Sequence, residues 1–226
     1  MINFDLTELC ILIERLRKSA IGEPRKITEK GAFEYRHHSA TVVAVLKLVR
    51  AAHGLNAISV LCRSGLFIDF GAIIRCVNDA VDEVYFLLEE YPNTSGNVDR
   101  FVRGFFENTI DGYLAVETSS VPSHKIRAAG VRLLKGRHDE GLRQLMDQIH
   151  TTFCGYVHAN YAHIMEVYNG ASRDFNLAGV PSQQQIAMRM EHVEVLRTSV
   201  VFAAAFVART LGMSELCEEI LQLDEG

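Results

Sequence analysis

Residues 142–168, LRQLMDQIHTTFCGYVHANYAHIMEVY, carry two neighbouring stripes of side chains with steps of three or four residues. Such steps place side chains on one side of an α-helix, so we expect one long helix here. One stripe is apolar and predicts the face that packs on the core: Leu142, Met146, Ile149, Phe153 and Val157. The other is titratable and lies about 100° around the helix, at the core edge: Arg143, Asp147, His150, Cys154 and His158.

The same helical period recurs along the whole chain, whereas strand alternation is almost absent. We expect helices at about residues 6–21, 32–53, 56–90, 97–117, 122–136, 140–169, 183–211 and 214–223. Asp5, Asp139 and Ser182 are the expected N-caps, and Gly54 is expected to end a helix. The third helix is long and is expected to kink near Gly65 or Gly71.

This pattern predicts an all-α protein, a single helical bundle of about seven helices with mostly antiparallel neighbours. We expect one domain over residues 1–226, made of an N-terminal helix and loop (1–31), a bundle core (32–212) and an acidic terminal helix (213–226). The alanines at 203–205 and 208 permit close packing, either in the central helix of the bundle or in a dimer surface.

Composition limits the class of protein and its location. Hydrophobic residues make up 48 % of the chain and charged residues 23 %, which is typical of a globular protein. The net charge of −5 argues against bulk affinity for nucleic acid, although residues 124–143 are locally basic. Five scattered cysteines predict free thiols, and no apolar run reaches the length of a membrane span. We therefore expect a cytoplasmic protein with no membrane partner.

The titratable stripe offers catalytic candidates in Arg143, His150 and His158. Arg143 and His150 have a spacing that helical ribonucleases use, in which arginine stabilises phosphate charge while histidine transfers protons. Arg132 and His138 show a similar spacing, and chance predicts about as many such pairs as occur. The alternative is that these histidines only fill space at the core boundary. Cys154 is a conceivable nucleophile, but a buried thiol is the commoner role.

A metal site is a second possibility. Glu34 with His37, and Asp147 with His150, each place an acid three residues before a histidine, as in di-iron carboxylate bundles. Further carboxylates are available at Asp79, Asp82, Glu191 and Glu194. Glu34 also has a simpler interpretation, since an acid in the first turn of a helix favours the helix dipole. We expect no cofactor from the leading interpretation.

Two short segments resemble a known group of proteins. AIIRCVND at residues 72–79 resembles the Arg-x-x-x-Glu helix of uncharacterised bacterial all-helical proteins, with Asp79 where that pattern prefers Glu. GYVHANYAHIME at residues 155–166 resembles their Val-His-Ala helix. This group is associated with the HEPN-like helical superfamily, which includes ribonuclease toxins and nucleotide-binding accessory domains. The resemblance covers residues 55–210 and implies that Arg75, Asp79 and His158 are site residues.

The resemblance favours the fold over nuclease activity, because Gln144 follows Arg143 where the superfamily usually has Asn, Asp or His. The leading hypothesis is an HEPN-like binding or accessory module, acting as a homodimer. Its polar cleft, lined by Arg75, Asp79, His150 and His158, would hold an anionic, nucleotide-like or RNA ligand. The expected ligand-binding residues are Arg75, Asp79, His158 and Tyr161. The alternatives are a metal-independent ribonuclease, a carboxylate/histidine metal enzyme and a purely structural interaction protein.

Overall fold

The computed structural model describes residues 6–27, 32–107 and 121–224. The prediction of an all-α protein is confirmed: the described residues form nine helices and two small antiparallel hairpins. The helices are α1 (Thr7–Ile21), α2 (Ala40–Arg63), α3 (Phe67–Leu88), α4 (Gly96–Glu107), α5 (Ser123–Lys135), α6 (Glu140–Val157), α7 (Tyr161–Met165), α8 (Gln183–Thr210) and α9 (Ser214–Gln222). Strand β1 (Arg25–Ile27) pairs with β2 (Ala32–Glu34), and β3 (Tyr168–Asn169) pairs with β4 (Asp174–Phe175).

The core is a hairpin of α2 and α3, covered by α1 and α8. Its largest fully buried side chains include Leu48, Leu55, Ile58 and Ile74. The alanines at 203–205 and 208 are buried within the chain, so α8 is a central helix of the bundle. By length and composition α2 could also cross a membrane, with a mean hydropathy of 1.3, and half of that segment is buried inside the protein. Core helices share this all-round apolar character.

The predicted boundary at Gly54 is wrong, because α2 runs through it to Arg63. A Cβ at Gly54 would overlap Val77 of α3, so this glycine permits close helix packing and does not end the helix. The predicted helix over 56–90 is two helices that meet at Gly65, whose φ of +68° favours glycine. The Gly65 carbonyl also accepts a hydrogen bond from the backbone N–H of Val180 at 2.9 Å.

Other boundaries follow the sequence more closely. Asp139 and Ser182 cap α6 and α8 through side-chain oxygens that accept backbone N–H groups. The expected Asp5 cap and the end of the predicted helix over 97–117 lie outside the described residues. Residues 25–27 and 32–34 pair as antiparallel strands where a loop and a helix start were expected. The helix expected over 140–169 ends at Val157, and Ala159 follows with a φ of +49°.

Helix α6 lies on the outside of α3 and α5, and it is rotated only partly from the predicted orientation, because Phe153 of the expected core stripe still packs against the core. Its titratable stripe faces those helices, because Arg75 of α3 and Arg127 of α5 contact Asp147, His150 and Cys154. In the expected core stripe, Ile149 is 38 % exposed and Val157 is 50 % exposed. Gly155 is the one buried residue of α6, a helix that the structure describes in full.

Candidate functional site

His150 lies between two guanidinium groups. Nη2 of Arg75 is 3.2 Å from Nε2 of the imidazole, and Nη1 of Arg127 is 2.7 Å from Nδ1. The three residues come from three helices, α3, α5 and α6, which meet at this point. Arg127 is buried, and the side chains of Arg75 and His150 are largely covered.

Carboxylates on the same helices hold both arginines in place. Nε of Arg127 donates to Oδ1 of Asp147 at 2.8 Å, and its Nη2 lies 2.7 Å from the same oxygen. Arg75 forms an ion pair with Asp79, one turn further along α3, and its Nε donates to Sγ of Cys154 at 3.4 Å. Each guanidinium therefore has a carboxylate on one side and the imidazole on the other.

The protonation of His150 follows from this arrangement. Burial and the positive charges of Arg75 and Arg127 lower the pKa of His150 to about 4, so the ring is neutral at pH 7. A neutral imidazole accepts a hydrogen bond at one nitrogen and donates at the other, whereas guanidinium groups only donate. Because Arg127 is closer, we assign the acceptor to Nδ1 and the proton to Nε2. That N–H then lies beside an N–H of Arg75.

Asp82 is a second titratable group with an unusual environment. Burial raises its pKa to about 7, an effect that Arg127 and Arg75 oppose and Glu83 reinforces. Near neutral pH, this carboxyl therefore exists as a mixture of acid and carboxylate. Its charge changes in the range where His150 stays neutral.

A cavity of about 300 Å³ borders these groups. One wall is polar and is formed by Arg75, Asn78, Asp79, Asp82, His150 and Ser199. Apolar side chains form much of the rest, including Leu134, Leu142, Leu145, Met146, Ile149 and Phe202. Polar groups converging on an apolar concave surface are typical of small-molecule sites.

The structure brings together Arg75, Asp79 and His150 from the predicted set. Arg143 does not contact His150 directly, but its Nη1 donates to Oδ2 of Asp147 at 3.0 Å, and Asp147 in turn binds Arg127. The expected cleft between Arg75 and His158 needs correction, because the histidine beside Arg75 is His150. His158 is exposed at the C-terminal end of α6, and Tyr161 is 79 % exposed at the start of α7. Neither lines the cavity.

The residues of the alternative metal site are not arranged as expected. Glu34 belongs to β2 and pairs with Arg25 at 2.9 Å, and His37 precedes α2, so the helical spacing between them does not exist. Asp147 and His150 face arginines, which would repel a cation. Across residues 6–27, 32–107 and 121–224, no three or more His, Cys, Asp or Glu side chains group as metal ligands.

The second arginine–histidine spacing is also not a site. Arg132 donates to Glu89 at 2.6 and 2.9 Å, while Nε2 of His138 lies 3.4 Å from Glu140. These two residues therefore bind different carboxylates on an exposed surface. This agrees with the estimate that about as many such arginine–histidine spacings occur by chance as are present in the sequence.

Arg127 is the residue that sequence reasoning missed, because it was counted only as part of the locally basic segment 124–143. A signal was present: it lies four residues before Val131 and next to Ile126, on the buried side of α5. A cation at such a position requires a buried partner. The titratable stripe of α6 supplies that partner.

Comparisons with known proteins add no relative to this picture. No protein-family model matches the chain, and no curated protein or solved structure matches it either. The interpretation of the site therefore depends on its geometry and chemistry.

Proposed function

We propose that this protein is a ligand-binding module that holds an anionic group of a small molecule at Arg75 and His150. The observation that carries the proposal is the neutral imidazole between two arginines. Arg127 occupies Nδ1, which leaves the Nε2–H of His150 and an N–H of Arg75 as neighbouring donors 3.2 Å apart. An oxygen of an anionic ligand can accept hydrogen bonds from both.

The carboxylates at the site are compatible with an anion. Asp79 and Asp147 are each paired with an arginine, so their charges are compensated. Asp82 is the remaining carboxyl on the cavity wall, and its pKa of about 7 means that it loses its charge as the pH falls below neutral. Anion binding should therefore strengthen from pH 8 to pH 6.

The apolar wall supports a ligand that has an apolar body as well as an anionic group. Leu142, Leu145 and Phe202 would cover that body. A nucleotide-like molecule has this combination, and the HEPN-like resemblance includes nucleotide-binding domains. The cavity volume of about 300 Å³ lies at the small end of the range for such sites.

Binding is a better proposal than acid–base catalysis by His150. A general base needs a free lone pair and a pKa near the working pH. The pKa of His150 is about 4, and its Nδ1 faces the Arg127 donor at 2.7 Å. The ring is suited to donating one fixed hydrogen bond and poorly suited to exchanging protons with a substrate.

The test compares two ligands of equal chain length, hexanesulfonate and hexanol, by isothermal titration calorimetry. We expect the sulfonate to bind more tightly, and Arg75→Gln to weaken its binding about 10-fold or more, because a hydrogen bond to a charged group is lost. The matched control is Arg15→Gln, an exposed arginine of α1 that pairs with Glu219 and does not line the cavity. Equal affinity for both ligands, or equal effects of the two variants, would refute the proposal.

A further inference from the structure

A second cavity, of about 700 Å³, adjoins the first. Tyr85, Leu134 and Phe202 line both, so the two share a boundary along α3, α5 and α8. The walls of the second cavity are mainly apolar, with Leu88, Leu133, Ala205, Phe206, Cys217 and Leu221, and their polar side chains are Glu89, Tyr91, Arg209 and Thr210. Phe202, at the junction, is 46 % exposed. The donors of the first cavity thus lie at one end of a longer apolar groove.

We propose that the two cavities form one groove for an elongated amphipathic anion, with a single anionic head group and a flexible hydrocarbon chain. The head group binds at Arg75 and His150. The chain crosses Tyr85, Leu134 and Phe202 and lies in the second cavity. This inference rests on the proposed function and specifies the body of the ligand.

Charge complementarity favours this occupant. Arg75 and His150 provide two adjacent donors for the head group. In the second cavity the Glu89 carboxylate accepts two hydrogen bonds from Arg132, so it is already satisfied. A hydrocarbon chain needs only apolar cover.

The exposed apolar surface supports the same occupant. Leu134, Phe202 and Leu221 are large side chains left partly in water along the groove. Covering such surface is favourable in proportion to the apolar area removed from water. A second copy of this chain could also cover it, but that copy would have to bring a carboxylate to Arg75 and His150.

The experiment measures the affinities of hexanesulfonate, octanesulfonate and decanesulfonate for the full chain. We expect each added methylene to increase affinity about threefold to fourfold. Leu221→Asn changes a wall of the second cavity alone. It should weaken decanesulfonate binding about fivefold and leave hexanesulfonate binding unchanged. The matched control is Leu177→Asn, an exposed leucine outside both cavities.

Three outcomes would overturn the inference. Affinity that does not increase beyond hexanesulfonate would confine the ligand to the first cavity and leave the proposal for Arg75 intact. A Leu221→Asn effect that is the same for all three sulfonates would place the chain elsewhere. A dimer in sedimentation velocity that Phe202→Asp converts to a monomer, and that binds no sulfonate, would assign the groove to a second copy.

Discussion

Helix α2 is richer in apolar residues than α6, and the two helices have opposite roles in the structure. Thirteen of the 24 residues of α2 are buried, whereas α6 buries one of its 18. Side-chain packing over most of its surface holds α2, and Gly54 lets it approach α3 closely. Ion pairs and hydrogen bonds from Arg75 and Arg127 hold α6, together with the close approach of Tyr156 to Gly71.

This difference explains where the cavity is. A helix that turned its apolar stripe inward would fill the space beside α3. Because α6 directs Asp147 and His150 toward Arg75 and Arg127, Leu142, Leu145 and Ile149 are left to line an open cavity. The region where α3, α5 and α6 meet therefore buries less apolar area than the α2–α3 core, and its ion pairs and hydrogen bonds hold polar groups in fixed positions.

The largest expected effect is on the free energy of unfolding, and it comes from comparing the same Leu→Ala substitution in α2 and in α6. Leu55→Ala removes a fully buried side chain of α2 and should lower the free energy of unfolding by about 2–5 kcal/mol. Leu145→Ala shortens a side chain of α6 that is 51 % exposed, and should cost less than about 1 kcal/mol. Urea denaturation of both variants measures this difference. Similar losses would mean that α6 is packed as tightly as α2.

A second prediction concerns the buried carboxyl. The pKa of Asp82 is about 7 in the folded protein against an ordinary value of 3.8, so folding favours the protonated form. Its contribution to stability is complete below pH 4 and is lost as the pH rises through 7. Asp82→Asn stays neutral, and should be more stable than wild type by about 2–4 kcal/mol at pH 9.

The difference between the two proteins should disappear near pH 4. The lowered pKa of His150 also makes stability depend on pH. This contribution is present in both proteins, so it cancels when their free energies of unfolding are compared. The measurement is urea denaturation at several pH values. A difference that is independent of pH would show that Asp82 is not a buried acid, and would remove the basis for tighter anion binding at low pH.

Much of the fold could be predicted from local sequence signals. Helices α5, α8 and α9 begin and end close to where Pro122, Ser182 and Gly212 indicated, because caps and breakers act locally. Gly54 and Gly65 were harder to distinguish. Gly54 lies in a close contact with α3, and Gly65 lies in a turn with positive φ where it contacts Val180. These roles depend on contacts with residues that are distant in sequence, so local sequence signals do not reveal them.

The site was only partly predictable for a similar reason. Periodicity correctly placed His150 at a helix edge and Arg75 on the same side of α3 as Asp79. It could not show which histidine meets Arg75, since that depends on how α6 is rotated about its axis. The rotation is determined by Arg127, whose partners, Asp147 and His150, lie 20 and 23 residues further along the chain.

The smallest expected effect tests how α6 is attached. A Cβ at Gly71 would overlap the Tyr156 ring, so Gly71→Ala should push α6 away from α3 and lower the free energy of unfolding by about 1–3 kcal/mol. Gly96→Ala is the matched control, because nothing lies within 4 Å of its added methyl group.

Amide hydrogen exchange shows whether Gly71→Ala destabilises α6 alone or the whole protein. Because α6 lies on the outside of the bundle and buries one of its 18 residues, exchange should accelerate in α6 and stay slow in α2. Equal acceleration in both helices would contradict that view, because α6 would then unfold together with the core.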